Sequence, residues 1–88
     1  SGLQLLAQAA GSILQLGAAN TECIRITASG NVGIHTTSQF GSGTKVLGLA
    51  NATVIPTTNP TGGGVMFSDA GALKWRGSSG TVTTLAPA

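Results

Sequence analysis

The stretch Thr21–Thr37 constrains this chain more than any other, because it alternates like a strand pair yet brings no partner of its own. Ile24 and Ile26 interleave with Cys23, Arg25 and Thr27, the period of two expected of a half-buried strand. Ala28-Ser29-Gly30-Asn31 supplies a turn, since Gly30 is free to take positive φ and Asn31 tolerates it. Val32 and Ile34 then resume the alternation. The stretch reads strand, tight turn, strand, with Ile24, Ile26, Val32 and Ile34 available to one face. A two-stranded ribbon is marginal in water, so that face has to be covered by something else.

The rest of the chain offers little to cover it with. Its 88 residues make one domain or less. Hydrophobic residues at 41% set it apart from disordered segments, which pair low hydrophobicity with high charge. Charged residues at 7% are too few for an ordinary surface, so Ser, Thr and the 14 glycines must form most of the exterior. A chain this short buries a modest fraction of its surface, and small folds compensate with disulfides, a metal or oligomerisation. Cys23 is the lone cysteine, which excludes an internal disulfide and any cysteine–histidine zinc spacing. Oligomerisation is the device that remains.

Charge and hydropathy narrow the function classes. The net charge of +2 comes from 4 basic and 2 acidic residues. Arg25, Lys45, Lys74 and Arg76 are dispersed, whereas nucleic-acid binding by counterion release needs clustered cations, so no nucleic-acid partner is expected. No apolar run approaches the roughly 18 residues that span a bilayer, so no membrane insertion is expected. The N-terminus has no basic region ahead of its apolar residues and does not read as a signal peptide. Without an initiator Met, the sequence is expected to be a processed product or a piece of a longer chain.

Along the chain, residues 1–55 read as a shaft of hairpin repeats, 56–64 as a Pro/Gly linker, and 65–88 as a C-terminal β-meander. Leu3–Ala10 has two readings. Leu3, Leu6, Ala10 and Ile13 fall near helical spacing with Gly11 as a cap, while Leu3 and Leu5, then Leu14 and Leu16, alternate as in short strands. Thr37–Thr44 is a loop carrying Phe40, Lys45–Ala50 a short strand, and Thr53–Ile55 a β-branched run stopped by Pro56. Pro56–Gly64 holds two prolines, three glycines and no large apolar residue, which marks a boundary. After it come strands at Val65–Phe67, Leu73–Arg76 and Thr81–Leu85, joined by Gly-bearing turns. The turn Ala28-Ser29-Gly30 is similar to Asp69-Ala70-Gly71, which suggests an array of hairpins without a strict repeat length.

Few residues carry chemistry. Glu22 and Asp69 are the only carboxylates and sit in different hairpins, so the paired set of a glycosidase is lacking. Cys23 sits in an alternating strand and reads as a small packed hydrophobe rather than a nucleophile. Gly62-Gly63-Gly64 lacks the Lys-Ser or Lys-Thr of a phosphate loop. No catalytic, cofactor or metal site is assigned, and the chain is not expected to be an enzyme. Trp75, flanked by Lys74 and Arg76, is the one candidate ligand contact, because an aromatic ring stacks on sugars and adjacent cations suit acidic glycans. The ordinary role for such a ring is a core anchor, and that reading takes precedence.

Two segments resemble a known family. Glu22-Cys23-Ile24-Arg25-Ile26, followed by Ser29-Gly30-Asn31-Val32-Gly33-Ile34 and Thr36-Thr37-Ser38, resembles a motif frequent in bacteriophage tail fibres and tailspikes. Its usual form is Glu-Arg-Met-Arg-Ile, a turn, then Gly-Asn-Val-Gly-Ile-Gly-Thr-Thr-Ser-Pro. Gly62-Gly63-Gly64-Val65 through Leu73-Lys74-Trp75-Arg76-Gly77-Ser78-Ser79-Gly80-Thr81-Val82 resembles a C-terminal segment that recurs in phage structural proteins. Together they span a little over half the chain. The resemblance implies an all-β, intertwined homotrimeric fibre, triple-β-helix-like, located in the virion as part of a tail appendage. Ile24, Ile26, Val32, Ile34, Val65 and Leu73 would form the trimer core. Its partners would be other virion tail or capsid proteins and a host cell-surface glycan. The alternatives of the same class are a glycan-binding receptor tip and a capsid decoration or head-fibre protein. This chain departs from the motif at Cys23 and Ile24, where Arg and Met are common, and at His35, where Gly is usual. The last puts an imidazole near an implied three-fold axis, where three copies would offer an axial metal or anion ligand. A lone His with no second His beside it is ordinarily a surface or satisfied residue, and that reading takes precedence.

Overall fold

A computed structural model describes residues 3–88, which leaves the first two residues of the 1–55 segment outside it. The chain is all-β. Among the described residues there is no helix, and the strands form two small sheets. Two compact units divide the chain, Ser1–Ala50 and Asn51–Ala88, each with one sheet.

The first unit holds β1 (Leu14–Ala18), β2 (Thr21–Ile26), β3 (Val32–Ile34) and β4 (Leu47–Leu49), hydrogen-bonded in that order. The β1–β2 hairpin turns on Ala19 and Asn20, with φ of 53° and 59°. Positive φ at both central residues is the type I′ turn that matches the twist of flanking strands. Strands β2 and β3 close through a longer turn. The Thr27 amide donates to Asn31 O at 2.9 Å and the Gly30 amide to Thr27 O at 2.9 Å, with Gly30 at φ 85°. This is a type I turn followed by a left-handed residue, for which Gly30 lacks the penalising Cβ. Strand β4 adds parallel to β3, in the register Val32–Leu47, Gly33–Gly48 and Ile34–Leu49.

Leu3–Ala10 adopts neither of its two readings, lying outside helix and strand alike. So short a segment does not nucleate a helix by itself, and within the unit no strand edge pairs with it. A turn with the Ser12 amide donating to Ala9 O at 3.0 Å leads from this arm towards β1.

The second unit is an antiparallel meander of β5 (Val65–Asp69), β6 (Ala72–Arg76) and β7 (Val82–Ala86). It repeats the first three strands of the first unit pair for pair. Leu14–Ile26 corresponds to Val65–Arg76, Gln15–Arg25 to Met66–Trp75, and Ile24–Ile34 to Lys74–Thr84. The turns correspond too. Ala70 and Gly71, at φ 49° and 87°, repeat the type I′ turn, while Gly77–Thr81 repeats the longer one with Gly80 at φ 89°. The counterpart of Ala28-Ser29-Gly30 is therefore Ser78-Ser79-Gly80, not Asp69-Ala70-Gly71. The extra residue of β2 is Cys23, at a bulge where Leu16 opposes Ile24 but Gly17 already opposes Glu22.

Pro56–Gly64 is part of this second unit, where the Arg76 guanidinium donates to Pro56 O, Thr57 O and Asn59 Oδ1 at 3.4, 3.2 and 2.8 Å. Thr53–Ile55 forms no strand. Only Asn51 bridges Ser68, with the Ala52 amide donating to Ser68 O at 2.8 Å.

Candidate association interface

Residues paired across a sheet share a face, so the registers assign the paired strand residues of the first unit to one face or the other. One face carries Leu14 and Leu16 from β1, Ile24 and Ile26 from β2, Val32 and Ile34 from β3, and Leu47 and Leu49 from β4. It is an unbroken aliphatic grid, four strands wide. The opposite face carries Gln15, Arg25, Gly33 and Gly48.

The two faces are treated differently by the chain. The loop after β3 returns across the glycine face and lays the Phe40 ring there. A Cβ at Gly48 would stand 2.9 Å from Phe40 Cδ1, and one at Gly33 would collide with Thr36 O and approach Phe40 Cζ to 3.1 Å. Glycine is required at both positions because ring and backbone occupy the space. The Thr36 hydroxyl, buried, accepts from the Gln39 amide at 3.1 Å and shapes the return. Asn31 then clasps the end of the loop. Its side chain is 5% exposed, donates from Nδ2 to Gly43 O at 3.0 Å and accepts at Oδ1 from the Val46 amide at 3.0 Å. The Val32 amide adds a bond to Val46 O at 2.9 Å, which delivers β4 to its parallel place.

The aliphatic face receives no such cover. Leu16, Ile26 and Leu47 are exposed, Leu47 by 64%, and no side chain of the unit is fully buried. Phe67 of the second unit is the one buried large hydrophobe among the described residues. The chain exposes 6316 Å². A compact monomer of this mass exposes about 4,700 Å², and even two separate compact halves would expose only about 5,700 Å². The chain exposes more surface than two compact halves would, and Leu3, Leu5, Leu6, Leu47 and Val54 are among the large hydrophobic residues in it.

Ile24, Ile26, Val32 and Ile34 thus stand together on one surface. Val65 and Leu73 do not join each other: Val65 shares a face with Phe67 and Arg76, and Leu73 lies on the other with Met66 and Trp75. The same alternation separates the proposed sugar contact. Trp75 is 42% exposed and faces away from Lys74 and Arg76. Lys74 is paired with Asp69 at 2.8 Å, and Arg76 is committed to the Pro56–Asn59 carbonyls. Trp75 covers Gly64, where a Cβ would collide with the indole ring.

The remaining carboxylate is also engaged. Glu22 and Arg25 form an ion pair at 2.9 Å, reinforced by Arg25 Nε bonds to both carboxylate oxygens at 3.0 and 3.1 Å. Residues three apart on a regular strand point to opposite faces. The bulge at Cys23 returns these two to the same side.

His35 is exposed, with φ at 57° and its amide donating to Cys23 O at 2.8 Å. A left-handed residue with a Cβ is strained by roughly 1 kcal/mol where glycine is not. His35→Gly is therefore expected to stabilise the first unit by about 0.5–1 kcal/mol, read as a shift in the urea midpoint at unchanged slope. A loss of stability would show that the imidazole contributes packing that outweighs the strain.

A scan against protein-family models finds no match, and neither does a search of curated proteins. Among solved structures, one titled a novel hyaluronidase from Streptomyces koganeiensis aligns with a TM-score of 0.44 at 26% identity. The alignment covers 100% of this chain and 52% of that one, so this chain spans about half the length of its structural neighbour. A likeness at that score decides neither fold nor activity.

Proposed function

We propose that this chain is a structural segment of a phage-type tail fibre or spike, which associates as a homotrimer into a stiff rod within a virion appendage. The observation that carries the reading is the uncovered aliphatic face of the first unit. Eight aliphatic side chains share that face; none of them is buried, and Leu16, Ile26 and Leu47 are exposed. Turned towards a common axis, three such faces would cover one another, which drives association by about 25 cal/mol for each Å² of apolar surface removed from water. Mechanism here is assembly rather than catalysis. Glu22 and Asp69, the chain's two carboxylates, are held in ion pairs in separate units, which favours a structural role over acid–base chemistry.

Two further features support the reading. The left-handed backbone at His35 explains why a motif of this kind ordinarily carries Gly at that position. The Asn31 clasp gives the Gly-Asn-Val-Gly-Ile sequence a structural job: Asn holds the returning loop and Gly33 admits it. A part in host attachment rests on Trp75 alone, without the cationic flank that an acidic glycan would use.

Light scattering after size exclusion, with an SDS gel of unheated and heated samples, tests the assembly. A mass of three chains, with an unheated band that survives SDS, is the expected result. A stable folded monomer would overturn the proposal, because the aliphatic face would then be tolerated in water.

A further inference from the structure

The arm Leu3–Ala10 is the other large apolar feature of the first unit that remains in water. Leu3 is 92% exposed, and Leu5 and Leu6 are exposed beside it. The arm carries no charge, and neither does the aliphatic face. In its own chain it reaches only one corner of that face. There Leu5, Leu6 and Ala9 line an apolar groove of about 400 Å³ together with Leu14 and Ile26. The turn that joins Ser12 to Ala9 anchors it at this β1 margin. The opposite margin is β4, whose Leu47 is the most exposed residue of the grid at 64%. At about 4.8 Å per strand, β4 lies roughly 14 Å from β1 across the sheet, and the exposure of Leu47 shows that the arm of its own chain leaves that margin bare.

We infer that the arm is the element that closes the interface between copies: Leu3, Leu5 and Leu6 of one copy pack on Leu47 and Leu49 of the next. This rests on the self-association proposed above and specifies its contact. An arm at the β1 margin of one copy, meeting the bare β4 margin of its neighbour, is a head-to-tail contact. Such contacts close into a ring when the rotation between copies allows it. The pairing puts the most exposed leucines of the arm against the most exposed leucine of the face, and buries no charge on either side. Apolar arm and apolar margin are each left over in the single chain, and each is what the other lacks.

The test is a disulfide across the proposed contact. In a Cys23→Ser background, the pair Leu5→Cys and Leu47→Cys should give, on oxidation, chain-to-chain cross-links in a non-reducing gel. Mixing copies that carry only one cysteine each should give the dimeric band. A cross-link confined within single chains, or none at all, overturns the inference. Separately, the triple change Leu3→Ser, Leu5→Ser, Leu6→Ser alters only exposed side chains, so the fold is expected to persist by circular dichroism. It should weaken association at least tenfold. If this variant associates as tightly as the parent, the arm has no part in the interface while self-association still stands. If the parent itself is monomeric, both fall together.

Discussion

Replacing Asn31 by Asp is expected to cost the first unit about 3 kcal/mol at neutral pH. The side chain is buried and makes two directional bonds, accepting from the Val46 amide and donating to Gly43 O. Asp keeps the acceptor but sets a carboxylate oxygen against the Gly43 carbonyl. The lost donor leaves the half-buried Gly43 carbonyl without its partner, at about 1–3 kcal/mol, and burying the charge adds to that. The variant gains relative stability in acid, since the protonated carboxyl regains a proton to donate. The penalty is full above the carboxyl's titration in the folded state and shrinks as pH falls through it. Asn31→Ala leaves both Gly43 O and the Val46 amide unpaired, and its cost of similar size does not change with pH. Hydrogen exchange at the Val46 and Val32 amides is the readout, because both are closed by the clasp. Trp75 belongs to the second unit and does not report directly on the clasp. An Asp variant as stable as the parent would mean that β4 is held by its strand pairing alone.

The second large effect is on association. Leu16→Asp together with Leu47→Asp places charges at both margins of the aliphatic face, on side chains that are exposed in the single chain. The fold is expected to survive, since neither residue is buried. Association buries those positions, and an unpaired carboxylate buried at an interface costs at least about 3 kcal/mol. That is more than a hundredfold in the equilibrium constant per contact. Light scattering should show a monomer with the parent's circular dichroism. An assembly unchanged in mass would show that the aliphatic face lies outside the interface.

How much of this was legible beforehand differs between elements. The hairpin over Thr21–Thr37 could be read because its alternation and its Gly30 turn are properties of neighbouring residues. The placement of Ile24, Ile26, Val32 and Ile34 on one surface follows from the same period. The β1–β2 hairpin could not be read, because Ala19 carries no turn signal even though the backbone holds it at φ 53°. Nor could the bulge at Cys23, which lets Glu22 meet Arg25. The repeated meander is not visible in the sequence because corresponding positions share little chemistry. Ile24 matches Lys74 and Gly33 matches Thr83, so only the hydrogen-bond register reveals the repeat. The resemblance places Val65 and Leu73 in one core, yet their positions in β5 and β6 put them on opposite faces.

Sequence alone therefore determined what depends on consecutive residues: strand periodicity, turns at Gly30 and Gly80, a surface poor in charge, and a deficit of material for a core. Local sterics and side-chain period act over a few residues and leave their mark in order along the chain. Tertiary structure decided which strands pair and which face stays bare. The parallel seating of β4 requires Asn31 to bind Val46 across the loop, and Phe40 to find space over Gly33 and Gly48. Those contacts join residues far apart in sequence, and their energy exists only once the chain has closed.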